Sequence, residues 1–395
     1  MAERYRYIII GRGMMGAAAT RHLAGKSDGV ALIGPDEPKD LARHTGVFAS
    51  HYDEARITRT IDSDPVWALL AKRSIARYGA IAKDSGIDFF DETGCLMVGP
   101  KRGGGDPYVA DICDAAERVG ADVALLGAAE LADRFPYFSL GTGCEGVYEA
   151  AGAGYVNPRR LVEAQSVLAR KAGAKVISET VVSMREMADG VLVATSEGRE
   201  VIADKVLVAA GGFSIAENLL PKPVDLSVFA RTVAFFEIAD DELVRYAGMP
   251  SLIHQPDEPL DHIYLLPPVR YPDGKIYLKI GGDPDDYRLA SEPEIRAWFR
   301  SGGRQGTRDH LKRIIGGLIP ALAAAPLSMA ACVTTFTPTG YPAIGFASDR
   351  VAVLTGGCGA AAKSSDEIGR LGAELLLGGD LESDVYGAVF EPAFR

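Results

Sequence analysis

Long apolar segments are missing from this chain of 395 residues. No uninterrupted apolar run reaches the roughly 18 residues needed to cross a bilayer, and Ile8-Ile9-Ile10 is too short for the core of a secretion signal. We therefore expect a protein without a membrane partner that works in the cytoplasm.

Positive charge is also in short supply. The sequence has 42 lysines and arginines against 53 aspartates and glutamates, which gives a formal net charge of -11. A nucleic-acid-binding protein needs a broad basic face, and this balance disfavours one, although local positive clusters can exist within an acidic envelope. Small molecules are therefore the expected partners, and nucleic acids are not.

Cysteine is scarce as well. The five cysteines are odd in number and widely spread, which argues against a disulfide framework and against paired zinc ligands. They are Cys95, Cys113, Cys144, Cys332 and Cys358. Any cysteine with a special role here must act alone.

A glycine-rich turn near the N-terminus is the first informative motif. Residues 5–10 form a compact apolar run, Gly11, Gly13 and Gly16 follow, and a helix-forming stretch occupies residues 17–24. In such a strand-turn-helix unit the first glycine permits a tight turn, the second lets a pyrophosphate approach the backbone, and the third allows close helix packing. Turns of this kind also occur for structural reasons alone, but the position between a first strand and a first helix favours dinucleotide binding.

The second strand of this unit is predicted over residues 30–33. An acidic residue usually ends that strand and binds the ribose hydroxyls, but Gly34 stands there instead. Asp36 is the nearest carboxylate that can take the role, and Glu37 is its rival. The alternative is that both are solvated loop charges.

The chain leaves the nucleotide unit and returns to it. Residues 87–98 and 228–238 have the pattern of strands in a different sheet. Residues 190–210 and 351–377 contain strands that end in glycines, as expected of the nucleotide unit. We therefore predict an α/β nucleotide domain interrupted by a second domain.

Further motifs follow in a fixed order along nearly the whole chain. They are Ser50-His51, Arg56-Ile57-Thr58-Arg59, Gly154 to Pro158, Val206 to Gly211, Arg231 to Glu237, Leu278 to Gly281 and Cys332 to Ser365. With the N-terminal turn, this set resembles the flavoprotein family that contains D-amino-acid oxidase, and most closely its branch of monomeric sarcosine oxidase and N-methyltryptophan oxidase.

The resemblance implies FAD as cofactor and a specific architecture. A Rossmann-like, doubly wound FAD-binding domain would comprise residues 1–85, 150–225 and 326–395. A substrate domain built on an antiparallel sheet, α+β in character, would comprise residues 86–149 and 226–325. The active site would lie between the two domains.

Two residues acquire chemical roles from the resemblance. Cys332 falls where the sarcosine oxidase branch attaches its flavin through a thioether, although most free cysteines are simply small buried hydrophobes. Lys279 falls where similar enzymes hold a lysine beside the flavin to activate oxygen, because a fixed ammonium stabilises the negative charge of superoxide. Its alternative is an exposed strand lysine.

Cations are expected to bind the substrate. Arg59 and Lys363 match the positions that grip a substrate carboxylate, and Arg56 matches an arginine set against the flavin. Ordinary salt bridges are the alternative in a chain this acidic.

The sequence also departs from its relatives in the expected substrate site. Asp62 replaces a tyrosine, Asp283 replaces a histidine, and Ala360 replaces the histidine of the glycine turn. Two acids in place of an aromatic ring and an imidazole make sarcosine itself a doubtful substrate. They would suit a substrate with an extra cationic or hydroxylated group.

Three groups of residues make up the expected site. The residues expected to contact the cofactor are Gly11, Gly13, Met14, Met15, Gly16, Gly34, Asp36, Ser50, His51, Arg56, Val182, Gly211, Cys332, Gly357, Gly359 and Lys363. The residues expected to contact the substrate are Arg59, Asp62, Tyr264, Asp283 and Lys363. Lys279, Arg59 and Lys363 are the expected catalytic residues, and no metal is expected.

These expectations lead to a predicted reaction. The protein would oxidise a carbon–nitrogen bond of a small amine or amino acid to an imine, which water hydrolyses, and would reduce oxygen to hydrogen peroxide. Two alternatives stay open: a dehydrogenase that passes electrons to a partner protein, and a non-catalytic flavin-binding sensor. The sequence does not decide between a monomer and a homo-oligomer.

Overall fold

The structure is a computed structural model that describes residues 2–386 and 390–395. Its α-helices are α1 (Met14–Ala24), α2 (Pro65–Ile75), α3 (Tyr78–Ser85), α4 (Tyr108–Val119), α5 (Ala128–Arg134), α6 (Pro158–Lys171), α7 (Glu292–Ser301), α8 (Gln305–Leu318), α9 (Ala361–Leu377) and α10 (Ser383–Tyr386). Among the described residues, no helix combines the length and the apolar character that a membrane span requires.

The strands complete the element order. They are β1 (Glu3–Ile10), β2 (Val30–Ile33), β3 (Arg56–Thr58), β4 (Phe90–Asp91), β5 (Cys95–Pro100), β6 (Ala124–Gly127), β7 (Cys144–Glu149), β8 (Gly154–Val156), β9 (Lys175–Ile177), β10 (Val181–Met187), β11 (Gly190–Thr195), β12 (Glu200–Val208), β13 (Ser227–Ile238), β14 (Ser251–His254), β15 (Ile263–Arg270), β16 (Ile276–Gly281), β17 (Tyr287–Leu289), β18 (Leu327–Phe336), β19 (Ala343–Phe346) and β20 (Val351–Thr355).

A parallel sheet with β1 at its centre forms the nucleotide domain. Its parallel strands run in the order β9-β2-β1-β12-β20, and Ile8 of β1 pairs with Ala31 on one side and Val206 on the other. The hairpin β10-β11 and strand β19 add antiparallel strands. Because parallel sheets are covered on both faces, β2 and β20 are buried along their whole length and read as apolar runs.

Small residues let helices pack closely on this sheet. Helix α1 buries its alanines in the core shared with α9, and a Cβ added to Gly369 of α9 would lie 2.6 Å from both Cβ of Ala18 and N of Ala19. Helices α1 and α9, which come from opposite ends of the chain, are thus held against each other. This contact also brings the N-terminal ends of α1 and α9 to the same cavity.

A second sheet, mostly antiparallel, runs in the order β17-β13-β16-β15-β14-β5-β7-β6, with β18 paired to β13. Side chains of β13 alternate between buried and partly exposed, as expected of a sheet with one face on a core. Helix α8 buries Leu311 and Ile315 in the core that contains Phe236 of β13. A small sheet, β3-β8-β4, places the Arg56–Arg59 segment beside these larger sheets.

The expected α/β fold class with two interleaved sheets is confirmed. The segments that supply β1, β2, β9, β12 and β20 are those assigned to the nucleotide domain. The predicted cut at residue 326 assigns β18 to the FAD-binding domain, whereas β18 pairs with β13 of the second sheet, where Cys332 lies opposite Arg231. Its last residues reach the glycine turn, so β18 connects the two domains.

Candidate active site

A cavity of about 800 Å³ lies between the two sheets. The nucleotide domain contributes its strand ends, the start of α1 and the turn before α9, while the second sheet contributes side chains of β13, β15, β16 and β18. The volume is at the upper end of the range for ligand pockets. Such a crevice at the carboxyl ends of parallel strands is the usual ligand site of this type of sheet.

The predicted glycine turn forms one end of the cavity. Gly11 has φ = +109°, which side-chain-bearing residues rarely adopt, and a Cβ on Gly16 would overlap the carbonyl oxygen of Gly11. Gly13 is the N-cap of α1, with no side-chain cap and open space where its Cβ would point. Since the first turn of α1 carries no acidic residue, its amides and helix dipole favour an anion.

An arginine missed in the sequence analysis lies beside this turn. Arg12 lines the cavity with a side chain only 10% exposed, and its Nε has no hydrogen-bond partner within the described residues. Its other nitrogens bind Asp36 and Glu163. A buried donor without a partner next to an anion-binding helix end fits a cofactor with a diphosphate.

Asp36, the carboxylate predicted to bind the ribose near the end of β2, is not among the residues that line the cavity. The Asp36 side chain is 65% exposed, pairs with Arg12 and does not line the cavity. Glu37 binds Arg159 through both carboxylate oxygens, at 2.6 and 2.7 Å. Both candidates are therefore engaged by arginines, and it is Gly34 and the next residue, Pro35, that line the cavity here.

The middle of the cavity is lined by Ser50, His51 and Arg56, as expected. Burial, together with the positive charges of Arg12, Arg159 and Arg56, lowers the pKa of His51 to about 3. The imidazole is therefore neutral at physiological pH. Several cations thus face this part of the cavity, which again suits a negatively charged cofactor.

Lys279 lies in a buried ion-pair cluster. Its Nζ, 1% exposed, donates to Asp53 Oδ2 at 2.6 Å and to the carbonyl oxygen of Ala55. Arg56 binds the same Asp53 oxygen, and Tyr271 donates to the other at 2.8 Å. Lys279 itself is not among the cavity-lining residues and is linked to the cavity through Asp53 and Arg56.

Burial is also the main influence on this lysine's charge. It lowers the pKa of Lys279 to about 8, against the opposing effect of Asp53. The ammonium therefore predominates at neutral pH and is lost above about pH 8. Asp53, which the sequence analysis missed, stands three residues before Arg56, a spacing that can be seen in the sequence once the pair is known.

Arg59, Asp62 and Lys363 meet at the substrate side of the cavity. Lys363 Nζ lies 2.8 Å from Asp62 Oδ2, and Arg59 NH2 lies 3.2 Å from the same oxygen. All three residues line the cavity. The structure therefore brings together the two cations predicted to grip a carboxylate, with a carboxylate of the chain between them.

The turn before α9 and Cys332 lie next to each other. The amide of Gly357 donates to Thr335 Oγ1 at 3.0 Å and that of Cys358 to the Thr335 carbonyl at 2.7 Å. Gly357, Gly359, Cys358 and Cys332 line the cavity. Cys332 Sγ is 3.5 Å from Arg56 NH2.

The remaining predicted positions divide into those inside and those outside the cavity. Tyr264, Asp283 and Gly211 line it, as do Met14 and Met15. Burial raises the pKa of Asp283 to about 6. Val182 is exposed at its side chain, and its neighbours Thr180 and Val181 line the cavity. The contact between Val182 and the cofactor stays a prediction.

Comparisons with known proteins place this geometry in context. The family model for FAD dependent oxidoreductases matches residues 6–375. Monomeric sarcosine oxidase from Arthrobacter sp. (strain TE1826) is 26% identical over 388 residues, covering 96% of this chain and 94% of that protein.

Solved structures share the fold at low identity. NikD, "an unusual amino acid oxidase essential for nikkomycin biosynthesis", has a TM-score of 0.77 at 18% identity, covering 100% of this chain and 99% of that one. L-proline dehydrogenase from P. horikoshii has a TM-score of 0.73 at 18% identity, covering 98% and 97%.

We predict that Gly16→Ala reduces the FAD content of the purified protein. The added methyl group would overlap Gly11 O and lie 3.2 Å from Cβ of Ala209, an overpacking that costs about 1–3 kcal/mol and displaces the turn. The ratio of flavin to protein absorbance measures the effect. Gly317→Ala, in α8 with open space at its Cβ, is the matched control and should keep the wild-type ratio. Full flavin content in Gly16→Ala would contradict the assignment of the turn.

Proposed function

The chain belongs to the FAD dependent oxidoreductase family, and from that premise we propose that it is an oxidase of a small amine or amino acid. The observation that carries the proposal is one cavity that joins the glycine turn of α1 to the buried cations Arg59 and Lys363. Bound FAD would supply the redox chemistry, taking two electrons from the carbon–nitrogen bond and giving them to oxygen to form hydrogen peroxide. The names of the relatives, sarcosine oxidase and amino acid oxidase, support this reaction class.

The cofactor would be held mainly by backbone and by cations. The amides at the start of α1 and the unpaired Nε of Arg12 suit a diphosphate. The amides of Gly357 and Cys358 already donate to Thr335, so within this turn the amide of Gly359 would face an electron-rich ring edge. We further propose that the flavin is attached through a thioether bond to Cys332, which lines the cavity. Such a bond would keep the cofactor from dissociating.

The chain's own residues would orient the amine and limit water. The substrate side is walled by Met97, Tyr108 and Ile253, all buried in one apolar cluster, so a bound amine would lie in a largely dry site. Asp283 and Tyr264 present polar atoms to the same space. The imine product would leave this site and be hydrolysed by water.

Lys279 would act in the reaction with oxygen. The buried ammonium lies behind the cavity wall next to Arg56, and its positive charge would stabilise the superoxide-like negative charge that develops in the cavity. The rival function, a dehydrogenase, is favoured by one observation: Asp53 already binds both cations and reduces the net positive charge. A cytoplasmic location stays a prediction.

An anaerobic screen tests the proposed function. Small amines and amino acids are added to the flavin-containing protein, and loss of the flavin absorption band reports substrate oxidation. We expect at least one to bleach the flavin, and oxygen added afterwards to restore the band with one hydrogen peroxide formed for each flavin. Bleaching without peroxide formation would instead support the dehydrogenase.

We predict that Lys279→Met slows reoxidation of the reduced flavin by about 100-fold. The flavin is reduced photochemically, so that no amine is needed, and its reaction with oxygen is followed by stopped-flow absorbance. In the wild type the rate should fall as pH rises through about 8, because the Lys279 ammonium loses its proton there, and the variant should lack this step. Lys275→Met, a surface lysine next to β16, is the control. Equal rates of flavin reoxidation in the wild type and both variants would show that Lys279 has no role in the reaction with oxygen.

A gel experiment examines the flavin attachment. Wild-type protein denatured in detergent should keep flavin fluorescence on the protein band, and Cys332→Ser should release it. Cys358→Ser is the matched control, because this cysteine lines the same cavity. Release of all flavin from the denatured wild type would show that the cofactor is not covalently bound.

A further inference from the structure

We propose that Asp62 occupies the position in which Arg59 and Lys363 would otherwise hold a substrate carboxylate, so that the substrate is an amine without a carboxylate at this position. The inference rests on the proposed function and names its substrate class. It starts from the ion pairs themselves: two buried cations converge on one oxygen of the chain's own carboxylate.

The Asp62 carboxylate is held at both of its oxygens. Oδ2 receives Lys363 at 2.8 Å and Arg59 at 3.2 Å, while Oδ1 accepts the amide of Asp64 at 3.1 Å. Lys363 is only 1% exposed at its side chain, and its one further hydrogen bond within the described residues goes to the carbonyl oxygen of Trp67 at 3.4 Å. The donors of this lysine are therefore directed at groups of the protein.

The segment around Asp62 is fixed on both sides. Before it, the buried Glu149 accepts the amides of Thr60 at 2.8 Å and Ile61 at 3.1 Å. After it, Asp64 caps α2 and accepts the hydroxyl of Tyr341 at 2.7 Å. These contacts fix the backbone at Asp62, so its carboxylate can leave the cations only by a side-chain rotation that also breaks its hydrogen bond with the Asp64 amide.

The formal charges of the buried group already cancel. Arg59 and Lys363 are balanced by Asp62 and Glu149, and the charge of Glu149 contributes to holding Lys363 protonated. Burial opposes ionisation of Asp62, but Lys363 and Arg59 outweigh it and lower the pKa of its carboxyl below the usual range. A further carboxylate entering here would lose its hydration and find no unpaired cation.

The surroundings of this group indicate what the substrate carries instead. Met97 and Tyr108, next to Arg59, are part of an apolar cluster that also includes Ile253. Asp283 adds a second acid to the cavity. An amine with an apolar or hydroxylated substituent matches these walls, because it needs no anion site and its ammonium is attracted by Asp283.

A binding titration tests the inference without turnover. Propionate is added to the flavin-containing protein, and its dissociation constant is read from the change in flavin absorbance. We expect binding by Asp62→Asn to be at least about tenfold tighter than by the wild type, because the variant frees two cations for a carboxylate. Asp283→Asn removes the same charge from the same cavity. Because Asp283 contacts the Thr232 amide and not the two cations, this variant should show no such gain.

A second variant keeps the inference testable if Asp62→Asn does not fold. The double variant Asp62→Asn/Lys363→Met removes both members of the pair, keeps the formal charge balance and should bind propionate no better than the wild type. Propionate binding by the wild type as tight as by Asp62→Asn would overturn the inference. So would an equal gain in Asp283→Asn, which would reflect general electrostatics alone.

A matched pair of amines gives an independent measurement. N-methylglycine and 2-(methylamino)ethanol differ in a carboxylate against a hydroxymethyl group, and both are tested for anaerobic flavin reduction. We expect the wild type to prefer the alcohol by at least about tenfold and Asp62→Asn to shift toward N-methylglycine. Preference of the wild type for N-methylglycine would contradict the inference. If no amine in the wider screen reduces the flavin, the proposed function fails, and the propionate titration still decides the role of Asp62.

Discussion

Two lysines are buried in this protein because each is paired with an aspartate of the same short segment. Asp53 binds Lys279, which β16 of the second sheet carries, and Asp62 binds Lys363, which α9 of the nucleotide domain carries. Removing a charge from water is unfavourable unless a partner compensates it, so neither lysine would stay protonated in the interior without its aspartate. The segment 53–62 therefore connects the two domains by electrostatics as well as by packing.

This arrangement also determines what the cavity can do. At the nucleotide end, the uncapped start of α1 and the Nε of Arg12 leave hydrogen-bond donors without a partner among the described residues, which suits a bound diphosphate. At the substrate end, the cations are already paired, and the site is close to electrically neutral. The same cavity thus combines two halves of different character. One half suits an anionic cofactor, and the other suits a substrate with an uncharged or cationic group.

Some features of the fold and the site could be predicted from local sequence, and others depended on contacts between distant segments of the chain. The strand, glycine turn and helix at the N-terminus were readable because their signals lie within one stretch of chain, and β1, β2 and α1 form where the pattern placed them. The pairing of Asp36 with Arg12 and the exposure of the Val182 side chain were not predicted, because neither the partner of a loop acid nor the exposure of a strand residue is encoded locally. Glu149 was missed because its contacts, the amides of residues 60 and 61, lie almost ninety residues away in the chain.

The sequence by itself determined the fold class and the glycine turn, because these follow from local backbone preferences and from apolar periodicity, which act over a few residues. The expectation that Arg56, Arg59 and Lys363 lie near a cofactor came from the resemblance of the motifs to a known family. Only the tertiary structure decided that Asp53 and Asp62 neutralise Lys279 and Lys363. Ion pairing depends on distance in space and on exclusion of water, and both arise only when β16, α9 and the segment between Asp53 and Asp62 meet in the folded interior.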